Sequence, residues 1–252
     1  MKYFVFIPVR LASTRLPNKQ MKKFQSKIIL ELLIERIKQS EKIEDIIICT
    51  TKNKSDDKLI SFLKSKNIKY FRGSEHDLLN RFNQASQIFS SEFIIIVDGD
   101  DIYTNANSID LVIKKYEKTN ADYIFGKGYP HGFIPVGVKL SALQKICKVK
   151  NSRNTETGYR EFFTETGLFN SKYIRPQKIL DFPKNLRLTL DYHEDYLFAK
   201  KIFSYLGNDF TLNQILELVE KEPELLKIID GIDEKWKKYY DKNYTNLSIR
   251  QK

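Results

Sequence analysis

Cysteine and histidine, the residues that build disulfide frameworks and zinc sites, are scarce in this chain of 252 residues. The two cysteines, Cys49 and Cys147, have a number and spacing that predict neither a disulfide framework nor a metal site. The three histidines, His76, His131 and His193, are too few to favour a zinc cluster. The scarcity excludes the disulfide-stabilised class and makes a zinc enzyme an unfavoured interpretation.

Long hydrophobic runs are also missing. No apolar run approaches the roughly 20 residues of a membrane-spanning helix, and the apolar part of the N-terminus is too short for a signal peptide. We therefore expect a cytoplasmic protein that does not bind membranes. The 43 Lys and Arg exceed the 32 Asp and Glu, for a net charge of +11. Because the lysines are spread along the chain and no nucleic-acid-binding motif occurs, this excess favours small anionic ligands over nucleic acid.

What the sequence does contain is an alternation of strand and helix patterns. We predict strands at 3–9, 43–51, 68–73, 92–101 and 121–126, and helices at 29–40, 55–66, 75–89 and 107–118. Such alternation with short loops is typical of a parallel sheet with helices on both faces. The predicted fold class is α/β, a three-layer Rossmann-like and mostly parallel sheet.

The regular alternation of strand and helix patterns becomes less clear after residue 127. We predict one domain over residues 1–252, in which about 1–127 bind a nucleotide and about 128–185 form a smaller substrate-side lobe. Residues 186–252 are predicted to return to the main sheet with a strand at 186–190 and to end in C-terminal helices.

The first loop, "IPVRLASTRLPNKQ" at residues 7–20, is basic and contains no glycine. A glycine-rich phosphate loop binds phosphates through backbone N–H groups, whereas here the side chains must supply the positive field. Arg10, Arg15 and Lys19 provide that charge, and Ser13 adds a hydroxyl. The loop predicts a polyphosphate site, and a solvated basic turn is the alternative interpretation.

Carboxylates follow two of the predicted strands. Asp98, Asp100 and Asp101 end the strand at 92–101, and Asp191 follows the strand at 186–190. Ligands bind at the carboxyl ends of strands in such sheets, so these side chains are expected in one crevice. An isolated pair of carboxylates there would repel, and Mg²⁺ between Asp100 and Asp191 would remove the conflict. Helix capping and solvation are the alternative roles for these residues.

Four motifs in order resemble those of a known family. They are "IPVRLASTRLPNKQ" at 7–20, "FRGSEHDLLNRF" at 71–82, "VDGDD" at 97–101 and "LRLTLDYHED" at 186–195. Together they resemble the cytidylyltransferases that make CMP-activated sugars, the group of CMP-Kdo synthetase and acylneuraminate cytidylyltransferase. The sequence is most similar to the spore-coat polysaccharide biosynthesis branch, and the resemblance extends over about residues 3 to 225.

The resemblance implies a set of site residues and the fold of nucleotide-diphospho-sugar transferases. The nucleotide-binding set is Arg10, Ser13, Arg15 and Lys19 at the CTP phosphates, Arg72 and Ser74 near cytosine and ribose, and Asp98, where the family usually has Thr or Gln. The implied metal ligands for Mg²⁺ are Asp100 and Asp191. These two residues, with Arg10 and Lys19, form the implied catalytic set.

The reaction implied by the resemblance is transfer of CMP from CTP to an acidic sugar or related acid, with release of pyrophosphate, for surface polysaccharide or glycoconjugate synthesis. The resemblance also implies a homodimer formed through the later lobe. Candidates for contact with the acceptor are His131, which lies between Pro130 and Gly132, and the cations Lys127, Arg153 and Arg160. Two alternatives remain open: a metal-dependent nucleotide-sugar glycosyltransferase using Asp98-Gly99-Asp100, and a non-catalytic nucleotide-binding protein.

Overall fold

The computed structural model describes residues 3–24, 26–244 and 247–250. Its strands are β1 (Tyr3–Pro8), β2 (Lys23–Phe24), β3 (Lys27–Ile28), β4 (Ile43–Thr51), β5 (Lys69–Gly73), β6 (Phe93–Ile96), β7 (Tyr123–Gly126), β8 (Val136–Lys139) and β9 (Ser171–Ile174). Its helices are α1 (Ile29–Ile37), α2 (Asp57–Ser65), α3 (Leu78–Phe89), α4 (Ala106–Thr119), α5 (Leu140–Val149), α6 (Glu161–Thr164), α7 (His193–Leu206), α8 (Leu212–Lys221), α9 (Glu224–Lys227) and α10 (Ile232–Asn243).

Seven strands form one sheet in the order β5-β4-β1-β6-β8-β7-β9, and β2 pairs with β3 in a separate hairpin. Neighbouring strands of the large sheet are parallel except where β8 pairs with β6 and β7. Side chains of β1 alternate between two hydrophobic clusters, with Val5 and Ile7 in one and Phe4 and Phe6 in the other. Both faces of the sheet are therefore covered, and the predicted three-layer, mostly parallel α/β fold is confirmed.

Residues 186–190 form an extended segment and not the predicted strand. Three leucines alternate into the core as in a strand, namely Leu186, Leu188 and Leu190. Their backbone partners, however, are loops: Leu188 N–H donates to the His131 carbonyl at 2.7 Å, and Leu190 N–H to the Asp100 carbonyl at 3.0 Å. The apolar alternation corresponds to buried leucines, but among the described residues no strand pairs with this segment to form a ladder. The prediction of a strand here was wrong.

The predicted strand at 92–101 is also shorter in the structure. Regular pairing ends at Ile96, and the chain then turns, with Asp101 N–H donating to the Asp98 carbonyl at 2.9 Å. Gly99 permits this turn, because a Cβ atom at that position would lie 2.6 Å from the Pro8 carbonyl oxygen. The turn brings the acidic residues beside the end of β1.

A buried arginine in α1 fixes the loop that follows this turn. Arg36 is 2% exposed and donates to the carbonyls of Tyr103, Thr104, Asn208 and Phe210. Burial lowers the pKa of Arg36 to about 10, so the guanidinium still carries its charge at neutral pH. Four backbone acceptors on two loops thus converge on one side chain.

Residues 128–185 contribute β8 and β9 to the same large sheet. The division into a nucleotide part and a substrate-side lobe stays a prediction. Within the three described ranges, no helix combines the length and the apolar character needed to cross a bilayer.

Candidate active site

A cleft with a volume of about 610 Å³ opens where the first loop, the acidic turn and the segment around Asp191 come together. Predicted site residues that line it are Arg10, Ser13, Arg15, Lys19, Asp98, Asp100 and Asp191. Residues 98–101 and Asp191, far apart in sequence, therefore meet at one cleft, as the sequence predicted.

The first loop folds back on itself after β1. Asn18 adopts a left-handed conformation with φ of 53°, and its N–H donates to the Leu11 carbonyl at 3.2 Å. Leu11 N–H donates in turn to the buried Asp56 carboxylate at 2.8 Å. Leu11 and Leu16 are buried. This closed loop turns Lys19 inward.

Lys19 is buried and its ammonium group lies between the two carboxylates that were predicted to hold Mg²⁺. It donates to Asp100 Oδ2, to the Leu190 carbonyl at 2.8 Å and to Asp191 Oδ1 at 3.4 Å. Burial by itself would lower the pKa of this ammonium, but the charges of Asp100 and Asp191 raise it above its ordinary value. Lys19 is therefore charged, and it relieves the repulsion between the two carboxylates.

Asp191 is surrounded by three cations. Arg15 Nη2 donates to Oδ1 at 2.6 Å, Arg187 Nη2 donates to Oδ2 at 2.7 Å, and Lys19 is the third. Burial would raise the pKa of this carboxyl, but the three cations hold it below its ordinary value. Arg187, which also pairs with Asp195 at 3.1 Å, was missed from the sequence. The sequence feature that could have identified Arg187 is its charge, because it stands among the alternating leucines of residues 186–190.

Asp98 lies in the cleft but is already hydrogen bonded. Its carboxylate accepts from the Tyr159 hydroxyl at 3.4 Å and from Arg160 Nη2 at 3.1 Å. Burial nevertheless keeps the pKa of Asp98 raised. Asp101 beside it is buried as well, and burial followed by the charges of Asp100 and Asp98 raises its pKa well above the ordinary value. The Asp98 carboxylate of the Asp98-Gly99-Asp100 motif is therefore already hydrogen bonded to protein side chains.

Arg10 forms an ion pair that the sequence did not indicate. Its Nε atom lies 3.6 Å from Glu156 Oε2, and Glu156 Oε1 accepts from the buried Arg81. The loop that carries Glu156 is fixed to α3, because Leu79 N–H donates to the Thr155 hydroxyl at 3.1 Å. Burial raises the pKa of Glu156 despite the two arginines. Arg81 and Glu156 both line the cleft and join the candidate site.

Arg72 and Ser74 are not brought to the cleft, since neither is among its described lining residues. The Arg72 guanidinium donates to the carbonyls of Thr51 and Asn53, each at 2.8 Å, and pairs with Asp57 at 2.8 Å. The Ser74 hydroxyl accepts from the backbone just before α3. Both side chains have local partners that account for them, and their contact with cytosine and ribose stays a prediction.

His131 and Arg160, two of the four acceptor candidates, line the cleft, and they also line an adjoining cavity of about 330 Å³. Although His131 is exposed to the cavity, desolvation by the walls of the cleft and the charges of Arg160 and Arg187 lower its pKa to about 4. Its imidazole is therefore neutral at pH 7. Lys127 and Arg153 are not among the described lining residues of either cavity.

The donor set around Lys19 fits a divalent cation. Asp100 and Asp191 direct oxygens to one position that already holds a positive group, and carboxylate oxygens are preferred ligands of Mg²⁺. In the part of the chain that the structure describes, no group of three or more His, Cys, Asp or Glu residues is placed to hold a metal. A cation here would therefore need further ligands from substrate or water.

This chain is similar in sequence to several known proteins. The chain is 33% identical over 241 residues to an uncharacterized protein of Methanocaldococcus jannaschii, covering 93% of this chain and 97% of that protein. It is 25% identical over 229 residues to the spore coat polysaccharide biosynthesis protein SpsF of Bacillus subtilis, covering 86% and 94%. It is 29% identical over 128 residues to 3-deoxy-manno-octulosonate cytidylyltransferase 2 of Hydrogenovibrio crunogenus, covering 50% and 51%.

A solved structure and a family model extend the likeness over most of the chain. A cytidylyltransferase from Leptospira borgpetersenii superposes with a TM-score of 0.80 at 27% identity, covering 92% of this chain and 98% of that one. The family model for cytidylyltransferases matches residues 4–222, which include the first loop, the acidic turn and Asp191. This chain is therefore a nucleotidyltransferase and belongs to the cytidylyltransferase family.

Proposed function

We propose that this enzyme transfers CMP from CTP to an acidic sugar or a related acid, and releases pyrophosphate, in the synthesis of surface polysaccharides or glycoconjugates. Two relatives support the proposal, one a spore coat polysaccharide biosynthesis protein and one a 3-deoxy-manno-octulosonate cytidylyltransferase. The observation that carries it is the meeting of Arg10, Arg15 and Lys19 with Asp100 and Asp191 in one cleft.

In the proposed reaction an acceptor oxygen attacks the α-phosphorus of CTP. A new P–O bond forms, the bond from the α-phosphorus to the bridging oxygen breaks, and pyrophosphate leaves. Arg15 and Lys19 now pair with Asp191 and Asp100, so phosphate oxygens bind by replacing those carboxylates. These cations then stabilise the charge that builds on the leaving pyrophosphate. The proposed chemistry uses no covalent bond to the protein.

Mg²⁺ is part of the proposal. Asp100 and Asp191 would hold the ion, with oxygens of substrate and water completing its ligands. When bound, it lowers the repulsion between the anionic acceptor and the triphosphate. The donation of Lys19 to both carboxylates means that ammonium and metal ion compete for the same oxygens.

The acidic acceptor is proposed to bind beside Arg160 and His131. Arg160 is a fork-shaped donor whose present partner is Asp98, and the neutral imidazole of His131 can hydrogen bond to an acceptor hydroxyl. A homodimer and a cytoplasmic location complete the proposal. The exposed apolar residues Ile179 and Tyr173 lie in the predicted dimer lobe, and light scattering at micromolar concentration tests this association.

The proposed function is tested by measuring pyrophosphate release. CTP with Mg²⁺ is combined in turn with 3-deoxy-manno-octulosonate, N-acetylneuraminate and other sugar acids, and ATP, GTP and UTP replace CTP in matched reactions. We expect release that requires both CTP and one of the acids, because the acid supplies the attacking oxygen. Release with no acid, or hydrolysis of a UDP-sugar at the same rate, would contradict the assignment.

A further inference from the structure

The C-terminal helix α10 lies outside the segment that matches the family model, which ends at residue 222. Even so, three of its aromatic side chains line the cleft: Trp236, Tyr239 and Tyr240. All three are partly buried, and the next lysines along the helix, Lys237 and Lys238, are exposed. The helix thus presents an aromatic face to the cleft and a charged face to solvent.

The aromatic face contacts the charged groups around Asp191. The Arg15 guanidinium lies 4.1 Å from the centre of the Tyr239 ring, and the Arg187 guanidinium lies 5.6 Å from that of Trp236. The His131 ring lies 4.8 Å from the Trp236 ring. These contacts reach the first loop, the corner at Asp191 and the loop of the substrate-side lobe, so α10 forms a wall across the cleft from the ends of the strands.

The wall is fastened at both of its ends. Ile232 at its start is buried in the main core. Near its end the Tyr240 hydroxyl donates to Glu161 Oε1 at 2.5 Å. Further on, Arg250 N–H donates to the Val149 carbonyl at 2.8 Å. The helix therefore connects the main core to residues of the substrate-side lobe and stays over the cleft.

We propose that the aromatic face of α10 is the binding wall for the sugar ring of the acceptor, an inference that rests on the proposed function. The faces of aromatic rings are electron-rich and pack on the C–H groups of a sugar, which the triphosphate of CTP lacks. The ribose and cytosine of CTP could also pack on a ring, so the KM for CTP is the measurement that separates the nucleotide from the acceptor. Trp236 and Tyr240 contact His131 and Glu161, two polar groups that can hydrogen bond to acceptor hydroxyls. Cationic side chains, by contrast, are the partners of the phosphates.

The sequence supplies a reporter for this proposal, because Trp236 is the single tryptophan of the chain. Its fluorescence is recorded while 3-deoxy-manno-octulosonate or N-acetylneuraminate is titrated into the wild-type enzyme, with and without CTP. We expect a saturable change with at least one of these acids. If the fluorescence of Trp236 does not change with an acid that the enzyme converts, the proposal that α10 binds the acceptor is overturned.

Kinetics of a matched pair of variants provide the second test. Trp236→Ala is expected to raise KM for the acid by about tenfold, the equivalent of one lost packing contact, and to leave KM for CTP nearly unchanged. Lys238→Ala, on the exposed face of the same helix, is expected to change neither value. An equal rise of both KM values in Trp236→Ala overturns the proposal, since a general disturbance of the cleft would act on both substrates.

The failure of the proposed function is distinguishable from the failure of this inference. If the wild-type enzyme releases no pyrophosphate with any acid, the proposed function fails. The fluorescence titration alone then decides whether the aromatic face of α10 binds a sugar acid. A saturable change that 3-deoxy-manno-octulosonate or N-acetylneuraminate induces supports this binding, and no change overturns it. If Trp236→Ala does not fold, the wild-type titration decides in the same way.

Discussion

Two regions of the cleft each supply one carboxylate to Lys19, and their surroundings differ. In the Asp100 turn, residues 98–101, the Asp100 side chain is 22% exposed and Lys19 is its one ion-pair partner among the described residues. In the Asp191 corner, residues 186–195, the Asp191 side chain is 5% exposed and has three cationic partners. The same residue type is therefore partly accessible with one cationic partner in one region, and buried with three cationic partners in the other.

The difference teaches how the cleft keeps a strongly charged group of residues stable. A buried carboxylate is costly unless it is paired and hydrogen bonded, and Asp191 meets that condition through Arg15, Arg187 and Lys19. Its removal leaves Arg15 without a carboxylate partner among the described residues, and leaves Lys19 and Arg187 with one carboxylate each, Asp100 and Asp195. Asp100 has fewer such partners and is more exposed, so its carboxylate is the more accessible of the two.

The largest expected effect separates the two carboxylates by stability. Both Asp100→Asn and Asp191→Asn should lower turnover by about 100-fold or more, because each removes a charge from the proposed metal and phosphate site. Asp191→Asn should also lower the free energy of unfolding by about 3 kcal/mol, since it removes the buried negative charge that three cations share and leaves Arg15 without a carboxylate partner among the described residues. For Asp100→Asn we expect a loss of about 1 kcal/mol. Urea unfolding at pH 7 measures both values. Equal losses would contradict the conclusion that Asp191 contributes more to stability than Asp100 does.

The second prediction concerns the residue that joins the regions. Lys19→Met keeps most of the side-chain volume but removes the ammonium group that lies between Asp100 and Asp191. We expect CTP to bind about tenfold or more weakly, because a charge-assisted contact is lost. We also expect Mn²⁺ to bind more tightly in the absence of nucleotide, because its competitor is gone.

Calorimetry with CTP and electron paramagnetic resonance with Mn²⁺ measure these two affinities. The control is Lys23→Met, which alters an exposed lysine four residues along the chain. If Lys19→Met binds CTP as the wild type does, Lys19 neutralises the carboxylates and has no part in phosphate binding.

The smallest expected effect is a pH dependence within the Asp100 turn. The pKa of Asp101 is well above its ordinary value of 3.8, chiefly because of burial. Between the unfolded and the folded pKa the folded state binds more protons, so the contribution of this group to stability falls as pH rises. Asp101→Asn removes the ionisable group and with it this loss of stability at higher pH. We expect the variant to melt at a higher temperature than wild type at pH 7.

The melting difference should shrink as the pH falls to about 2.5, where Asp101 is protonated in both states because that pH lies below its ordinary pKa of 3.8. Melting curves between these pH values measure it. Asp241→Asn, which alters an exposed carboxylate of α10, is the matched control. A difference that does not vary with pH would mean that Asp101 acts through packing and not through its charge.

The main elements of the fold and half of the cleft were predictable from the sequence, because both depend on local patterns. Apolar runs bounded by turns identified β1, β4 and β6, and charged residues directly after β1 and β6 identified the first loop and the acidic turn. The alternation at 186–190 predicted a strand, but whether another strand lies beside the segment depends on tertiary contacts, and in the structure Arg187 forms only an isolated bridge with His131.

The other half of the cleft could not be predicted, because it depends on contacts between distant segments. Glu156 reaches Arg81 and Arg10 only after the loop at 155 docks on α3. The aromatic residues of α10 reach the cleft only after the chain has passed around the core. A partly polar helix with aromatic residues gives no sequence pattern that distinguishes a cleft wall from an ordinary surface helix.

Arg36 has a consequence for how the protein tolerates mutation. Its acceptors are backbone carbonyls, and a carbonyl is present whichever amino acid occupies the position. Thr104 and Asn208 can therefore be replaced by other residues without the loss of their bonds to the guanidinium, whereas Arg36 has no substitute that reaches all four acceptors. These contacts between α1 and the two loops thus depend on the identity of one residue in α1, whereas substitution of Thr104 or Asn208 leaves the accepting carbonyls in place.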